Sequence, residues 1–313
     1  MPADALLPAP GPRARGDRRA ARGQASEAGA SALPSPELLG PEAVVPVVLP
    51  DGSERTVLRR GSGAPLLLVQ GMAAGHGHWG RWFLEGLLAA GREVISINHV
   101  GVAGSSRSRD PYAIADLADA QAAALDALGV DGPIDVFGIS MGGMTAQELA
   151  LRHPDRVRSL VLGCTSPGHV LGTWTEQAVM GGLVAALQSG DAARAMRASW
   201  EINVSPGFAE RTDVYDEFVA VTQANRVTLR VISAQMHAIG THDTSGRLGD
   251  IAVPTTVLHG TADQMLPYPN APVLAEAIPG AQLVTLQDVG HLFFWERPDD
   301  AVRVALETAA RAD

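Results

Sequence analysis

Short runs of aliphatic and β-branched residues alternate with Ala-rich, amphipathic stretches from Val44 to the end of the chain. Such runs are typical of strands buried on both faces, and the stretches between them are typical of helices. Strands are predicted at 44–48, 56–60, 66–69, 94–97, 134–137, 157–162, 255–259 and 282–286. Helices are predicted at 82–90, 114–128, 141–152, 272–277 and 299–310. Because strand–helix–strand units pair their strands in parallel, the pattern predicts an α/β fold with a mostly parallel eight-stranded sheet flanked by helices.

One long interval, 166–252, interrupts this alternation. Crossover connections in such sheets are usually far shorter. The interval is helical in character and carries many large apolar side chains: Trp174, Met180, Leu183, Leu187, Met196, Trp200, Phe208, Phe218 and Met236. We interpret it as a helical cap inserted over the C-terminal edge of the sheet, on a core formed by 41–165 and 253–313. The alternative is that each of these residues only holds the cap helices together.

The first forty residues, 1–40, are rich in Pro, Ala, Gly and Arg and show no sustained periodicity. We therefore predict that they are disordered. Arg18 and Arg19 suggest a twin-arginine export signal, but Arg22 and Glu27 lie where an apolar region would be required. We accordingly expect a cytoplasmic protein. A start codon assigned too far upstream would also explain this segment.

The composition of the chain limits the classes of molecule that it can bind. The chain is 46% hydrophobic and carries a formal net charge of −10, so it lacks the excess of basic residues that nucleic-acid binding requires. No stretch approaches the roughly 18 consecutive apolar residues of a membrane span. The single cysteine, Cys164, excludes an intramolecular disulfide and a cysteine-rich metal cluster. We expect a small-molecule substrate, no nucleic acid and no membrane, and a homo-oligomer is possible.

The motif that carries most chemistry is Gly138-Ile139-Ser140-Met141-Gly142, a G-x-S-x-G sequence between a predicted strand and a predicted helix. In this context the serine lies on a strained turn that lifts its hydroxyl out of the sheet edge. Glycines two residues before and after avoid a collision within the turn. An ordinary Gly-rich turn is the alternative, and the flanking strand and helix argue against it.

A serine hydroxyl needs a base, and the base needs a carboxylate that orients it. Asp263 lies in the loop after the predicted strand 255–259, and His291 follows the last predicted strand, 282–286. Both residues therefore come after the C-terminal ends of strands, where sites collect in open α/β sheets. The order Ser, Asp, His along the chain predicts a catalytic triad of Ser140, Asp263 and His291.

Three segments, FGISMGGM, HGTADQMLP and GHLFFWERP, resemble those of the α/β-hydrolase superfamily. The closest likeness is to capped bacterial enzymes related to enol-lactonases, cofactor-free haloperoxidase-type esterases and aclacinomycin-type methylesterases. The resemblance implies that Ser140 is the nucleophile, that His291 is general base and then acid, and that Asp263 orients it. It also implies an oxyanion hole formed by the backbone N–H groups of Met72 and Met141.

Two segments depart from the family pattern. Gln70 stands where relatives usually have His, and the segment from Asn98 to Ser105 replaces the usual D-x-R-G-x-G-x-S sequence. The first departure keeps the backbone donor of Met72 but leaves the hydrogen bonds that support its loop uncertain. The second concerns a mainly structural motif, and we expect it to reshape the floor of the pocket.

The remaining histidines and the cysteine suggest structural roles. His76 and His78 form a His-x-His pair, but no third ligand is near in sequence, so packing within the loop is expected and no metal is predicted. His237 and His242 lie in the predicted cap, where facing the substrate is one alternative, and exposure to solvent or packing within the cap is the favoured one. His259 is interpreted as a structural residue at a strand end, and Cys164 as a small buried hydrophobe. No cofactor is predicted.

The resulting functional hypothesis is hydrolysis of a carboxylic ester or lactone of a mainly apolar small molecule through an acyl-enzyme. The alternative keeps the triad but uses it for C–C bond cleavage, elimination or cyclisation in a biosynthetic pathway. A third interpretation, a non-catalytic ligand receptor on the same scaffold, is disfavoured because all three triad residue types are present.

Overall fold

The structure is a computed structural model that describes residues 44–108 and 111–313. The predicted disordered segment, 1–40, lies outside the described residues. Eight strands of the described chain form one sheet. They are β1 (Val44–Val48), β2 (Glu54–Arg60), β3 (Ala64–Val69), β4 (Arg92–Ile97), β5 (Ile134–Ile139), β6 (Val157–Gly163), β7 (Thr255–Gly260) and β8 (Gln282–Leu286).

The strand order is β1-β2-β4-β3-β5-β6-β7-β8. The pairs β1–β2 and β2–β4 are antiparallel, and the other pairs are parallel. The prediction of a mostly parallel eight-stranded sheet is therefore confirmed. Asp51 and Gly52 lie in the turn between β1 and β2, and Gly52 has a φ of 78°, a left-handed conformation that glycine adopts without strain.

Eleven α-helices occur in the described ranges. They are α1 (Arg81–Ala89), α2 (Ile114–Ala127), α3 (Met141–Arg152), α4 (Gln177–Gln188), α5 (Ala192–Asn203), α6 (Pro206–Ala209), α7 (Thr212–Ala224), α8 (Leu229–Thr241), α9 (Asn270–Ala277), α10 (Phe293–Glu296) and α11 (Pro298–Ala310). The five predicted core helices are all present, with bounds that differ by two residues or fewer. The short helix α10 was not predicted.

Strand β3 shows why the central strands have no polar face. Leu66 and Leu68 belong to one hydrophobic core, which also contains Phe83 of α1. Leu67 and Val69 belong to a second core on the other face of the sheet. Successive side chains of a strand point to opposite faces, so a sheet covered by helices on both sides needs apolar residues at every position.

Five helices, α4 to α8, lie in the interval between β6 and β7. We propose that this interval, 166–252, is the cap that the sequence predicts. Aromatic rings pack it against the core: the ring of Trp295 lies 6.3 Å from that of Trp200 and 6.1 Å from that of Phe218, centroid to centroid. Over the ranges that the structure describes, no helix is both long enough and apolar enough to cross a membrane.

Candidate active site

Ser140 lies between the last residue of β5 and the first residue of α3. Its φ of 56° and ψ of −125° form a combination that non-glycine residues rarely adopt. A Cβ atom on Gly138 would lie 2.4 Å from the carbonyl oxygen of Gly142, and one on Gly142 would lie 2.0 Å from the carbonyl oxygen of Val69. Only glycine fits at these two positions, so the spacing of the motif has a steric cause.

Hydrogen bonds on both sides hold this turn in place. The backbone N–H of Ser140 donates to the carbonyl oxygen of Gly163 at 3.0 Å, and the Thr165 hydroxyl donates to the carbonyl oxygen of Ser140 at 2.7 Å. These contacts come from the end of β6 and the residues after it. The surrounding structure thus fixes a backbone conformation that Ser140 would not adopt alone.

Asp263 and His291 are in direct contact and both are buried. The Nδ1 atom of His291 lies 2.7 Å from Oδ2 of Asp263. The other carboxylate oxygen, Oδ1, accepts from the backbone N–H groups of Met265 and Leu266 at 2.8 and 2.9 Å. Burial alone would raise the pKa of Asp263, but the adjacent His291 and His259 outweigh it and hold that pKa well below its usual range. The carboxylate therefore remains ionised and fixes Nδ1 of His291 as a donor.

A second imidazole, His259, also contacts this carboxylate. Its Nε2 atom lies 3.2 Å from Oδ2 of Asp263 and 2.8 Å from the carbonyl oxygen of Leu266. Because a carbonyl oxygen only accepts, Nε2 of His259 carries the proton. Sequence reasoning placed His259 at the end of a strand and missed its contact with the acid. Its position four residues before Asp263 was the available signal.

The structure joins only part of the predicted triad through hydrogen bonds. Asp263 and His291 are bonded, whereas Ser140 Oγ and His291 Nε2 form no hydrogen bond with each other or with any other described residue. Catalytic hydrogen bonds are often long or misaligned without substrate. Ser140 therefore presents an uncommitted hydroxyl, and His291 an uncommitted ring nitrogen.

Residues 70–73, which we call the β3 loop, follow strand β3 and lie beside Ser140. A Cβ atom on Gly71 would be 3.2 Å from Cβ of Ser140, which shows how closely this loop approaches. The backbone N–H groups of Met72 and Met141 donate to no described residue. Met141 is also the first residue of α3, where the helix dipole favours negative charge. Two unpaired backbone donors thus lie in segments adjacent to the serine.

The segment that departs from the family pattern supports the β3 loop, and the residues that follow this loop, without charged groups. His99 Nε2 lies 2.8 Å from the backbone oxygen of Gln70, and burial lowers the pKa of His99 to about 4, so the ring stays neutral. Asn98 Oδ1 accepts from the backbone N–H of His76 at 2.8 Å, and its amide donates to the Thr56 hydroxyl. The hydrogen bonds that the sequence left uncertain are thereby identified.

The other candidate ligands and nucleophiles occupy packing positions. His76 Nδ1 lies 2.8 Å from the Asn98 amide, and His78 Nδ1 accepts from the backbone of Gly75. Burial raises the pKa of the Cys164 thiol, which keeps it protonated. Among residues 44–108 and 111–313, the one group with metal-like spacing is Cys164, Asp263 and His291, and two of these atoms already bond to each other.

The comparisons with known proteins identify the family of the chain. Residues 64–182 and 213–298 match a family model described as alpha/beta hydrolase fold. The poly(3-hydroxyalkanoate) depolymerase of Ectopseudomonas oleovorans is 32% identical over 83% of this chain and 90% of its own length. The 2-hydroxymuconate semialdehyde hydrolase of Pseudomonas sp. strain CF600 is 30% identical over 78% of this chain and 85% of its own length. The structure of Est816, described as an N-acyl homoserine lactone degrading enzyme, has a TM-score of 0.67 and 28% identity, and covers 84% of this chain and 99% of its own.

Proposed function

The chain belongs to the α/β-hydrolase fold family and is a hydrolase, and we propose that it cleaves a carboxylic ester or lactone through a serine-bound acyl-enzyme. The resemblance inferred from three short motifs is thereby confirmed at the level of the superfamily. The observation that carries the proposal is the pairing of a strained, uncommitted Ser140 with a buried Asp263–His291 hydrogen bond of 2.7 Å.

In the proposed first step, Ser140 Oγ attacks the carbonyl carbon of the substrate while Nε2 of His291 takes the hydroxyl proton. Asp263 stabilises the imidazolium that forms. The carbonyl oxygen becomes an oxyanion, which accepts from the N–H groups of Met72 and Met141. Collapse of this intermediate breaks the bond to the alcohol oxygen, and His291 returns the proton to that leaving group.

The second step restores the enzyme. A water molecule attacks the acyl carbon as His291 takes one of its protons, and the tetrahedral intermediate collapses to release the acid and reprotonate Ser140. A lactone follows the same route with one difference. Its leaving alcohol is part of the acyl chain, so the hydroxyl formed in the first step stays on the acyl-enzyme and the product is a single hydroxy acid.

The large apolar side chains of the cap are the basis for proposing a mainly apolar small molecule as the substrate. A groove of about 660 Å³ lies between α4 and α5, and its wall combines apolar side chains such as Leu183 and Ile202 with charged ones such as Arg197 and Glu201. It reaches Gln264, which directly follows Asp263. The relatives whose names refer to a polyester and a lactone are consistent with an acyl ester as the reacting group.

The test is labelling of the purified protein with a fluorophosphonate, followed by turnover of p-nitrophenyl esters of increasing acyl length. We expect one label per chain at Ser140, and no label on Ser140→Ala. Ser233→Ala is the control, since Ser233 is an exposed helix residue. We expect His291→Ala to lower kcat by several orders of magnitude and Asp263→Asn by somewhat less. Normal turnover by Ser140→Ala would refute the proposal.

The second candidate uses the same residues for C–C bond cleavage, elimination or cyclisation. The uncharged contacts of His99 with the β3 loop and of Asn98 with His76 favour it, because this segment departs from the usual pattern. One relative, the 2-hydroxymuconate semialdehyde hydrolase, has a name that refers to neither an ester nor a lactone, and this is consistent with the second candidate. Labelling of Ser140 without turnover of any ester or lactone would select this candidate over the first.

A further inference from the structure

The backbone N–H groups of the β3 loop form a pattern around Met72. The N–H of Gly71 donates to Oε1 of Gln70 at 3.1 Å, and the N–H of Ala73 donates to Oε1 of Gln235 at 2.8 Å. The N–H between them, that of Met72, is unpaired within the described residues. The N–H groups on both sides of Met72 are therefore bonded to glutamine oxygens. The Met72 N–H between them is the donor that the proposed mechanism uses.

Gln235 reaches this loop from the cap. It lies on α8 and is fully buried, and 162 residues separate it from Ala73 along the chain. Because a backbone N–H can only donate, the amide oxygen of Gln235 must face Ala73. The Nε2 atom of the same amide is buried and, in the described part of the chain, has no partner.

The unpaired amide nitrogen of Gln235 reduces the net contribution of this side chain to stability. A buried donor without an acceptor is unfavourable, since it has lost its hydrogen bonds to water. The hydrogen bond to Ala73 offsets part of that cost but leaves little net gain for folding.

The β3 loop needs such a restraint because Ala73 has a φ of 58°, a left-handed conformation that alanine disfavours. A free Ala73 would relax toward negative φ and would turn the preceding peptide, which carries the Met72 side of the loop. The Met72 N–H belongs to the peptide before that one, so its direction would change as the φ and ψ of Met72 adjust to the turned peptide. Misplacing a catalytic group by about 1 Å can cost about a hundredfold in rate.

We propose that Gln235 is a positioning residue through which the cap sets the oxyanion hole. It acts on Ala73 and through it on the Met72 N–H, and it does not touch the reacting atoms. The inference rests on the proposed function, because it requires an oxyanion to be stabilised at Met72. It also gives the cap a part in transition-state binding, in addition to enclosing the substrate.

The test compares Gln235→Met, which keeps the length of the side chain but removes the acceptor, with the wild type and with Gln223→Met. Gln223 is an exposed glutamine on α7 and provides the matched control. Turnover of p-nitrophenyl butyrate gives kcat and KM. Inhibition by an aliphatic trifluoromethyl ketone reports on oxyanion binding, and inhibition by butyrate reports on binding of the ground state.

For Gln235→Met we expect kcat to fall about tenfold to a hundredfold, with KM changed by less than about threefold. The inhibition constant of the ketone should rise by a similar factor as kcat falls, and that of butyrate should not change. The melting temperature should stay within a few degrees of the wild type. Gln223→Met should match the wild type in every measurement.

Unchanged kcat and unchanged ketone inhibition in Gln235→Met would overturn the inference. A large loss of melting temperature with normal kcat in the folded protein would also overturn it, since that result describes a structural contact. If Gln235→Met does not fold, Gln235→Asn withdraws the oxygen while keeping an amide, and failure of both variants to fold likewise refutes a positioning role. A wild-type chain that fluorophosphonate does not label would instead refute the proposed function itself.

Discussion

At the level of single residues, the backbone of Ser140 stores strain at the point where the chemistry is proposed. A φ of 56° with a ψ of −125° costs a non-glycine residue on the order of 1–3 kcal/mol. The turn persists because the residues on both sides are fixed by β5, α3 and the end of β6. The strain is therefore a property of the position, and any L-amino acid at 140 shares it.

This reasoning predicts that Ser140→Gly is more stable than Ser140→Ala by about 1 kcal/mol, although both are inactive. Glycine loses more entropy on folding, but at this position relief of strain is the larger effect. Urea unfolding of the two variants measures the difference. The same pair at Ser233, inside helix α8, is the control and should show the opposite sign, with glycine less stable by about 0.5–1 kcal/mol. Equal signs at the two positions would contradict the prediction.

The second residue-level prediction concerns His259 and the ionisation of Asp263. The folded-state pKa of Asp263 lies below its ordinary value of 3.8. Its ionised form therefore contributes stability above that value, and the contribution is lost as the pH falls toward the lower, folded-state pKa. In His259→Leu one of the two imidazole contacts is removed, so the pKa of Asp263 rises toward 3.8.

We therefore expect the free energy of unfolding of His259→Leu to fall less than that of the wild type as the pH is lowered through the ordinary pKa of Asp263, because the gap between its unfolded-state and folded-state pKa is smaller. The measurement is urea unfolding at a series of pH values from about 7 down to about 3. His237→Leu, an exposed histidine on α8, is the control and should follow the wild type. If the plots of unfolding free energy against pH are parallel for His259→Leu and the wild type, His259 does not stabilise the carboxylate of Asp263.

At the level of elements, the loop that carries His291 is held from both sides by hydrogen bonds. The N–H of Leu292 donates to the carbonyl oxygen of Asn203 at 2.8 Å, and the N–H of Gly290 donates to Oε1 of Glu296 at 2.9 Å. The same Oε1 accepts from the N–H of Ser205 at 2.8 Å. One carboxylate thus joins the turn between α5 and α6 of the cap to the histidine loop.

This arrangement predicts different effects for two substitutions of Glu296. Burial raises the pKa of Glu296, so its negative charge is unfavourable in the folded protein. A glutamine at this position can keep the oxygen that accepts from the N–H groups of Gly290 and Ser205. Glu296→Gln should therefore retain kcat within about threefold and be no less stable at neutral pH. Glu296→Ala leaves two buried N–H groups unpaired and should lower stability by about 1–3 kcal/mol and kcat by about tenfold. Esterase kinetics and urea unfolding measure both effects.

The outcome that contradicts this account is a Glu296→Gln variant as impaired as Glu296→Ala. The negative charge itself, rather than its acceptor geometry, would then be required. Ser205→Ala provides a further comparison, because it removes the hydroxyl that donates to Oε2 of Glu296 at 2.5 Å but leaves both backbone contacts in place. We expect the kcat and the free energy of unfolding of Ser205→Ala to be close to those of Glu296→Gln.

At the level of the whole molecule, the sequence predicts best the features that depend on residues close together in the chain. The central strands were predictable because burial on both faces requires a continuous apolar run, as in Leu66 to Val69. The serine turn was predictable because Gly138 and Gly142 are required by contacts within a few residues and with strand β3. The predicted bounds of the core helices were close to the observed bounds for the same reason.

The supporting contacts of the site were not predictable, because they join distant parts of the chain. Gln235 meets Ala73, and Asn203 meets Leu292, across gaps that no periodicity spans. A glutamine on an amphipathic helix gives no sign that its oxygen will meet a loop N–H. His259 was missed for a different reason: a buried strand-end histidine resembles ordinary packing until the position of Asp263 Oδ2 is known.

These long-range contacts imply that the cap is not an independent lid. It bonds to the β3 loop and to the histidine loop, and its fully buried Trp200 packs against Trp295 of the core. An insertion with so many contacts to the core should unfold together with it. Pulsed hydrogen exchange in urea, read by mass spectrometry, should give the same midpoint for peptides from α5 and from α3.

The variant Trp200→Ala tests this cooperativity. Removing a fully buried indole should cost about 3–5 kcal/mol and should lower the midpoints of the cap and core peptides together. Trp174→Ala is the matched control, since Trp174 also lies in the cap but is 37% exposed, and it should shift both midpoints by much less. If Trp200→Ala lowers only the cap midpoint, the cap opens separately, and the hydrogen bond from Ala73 to Gln235 would then break in every opening. The oxyanion hole would in that case be assembled only while the cap is seated.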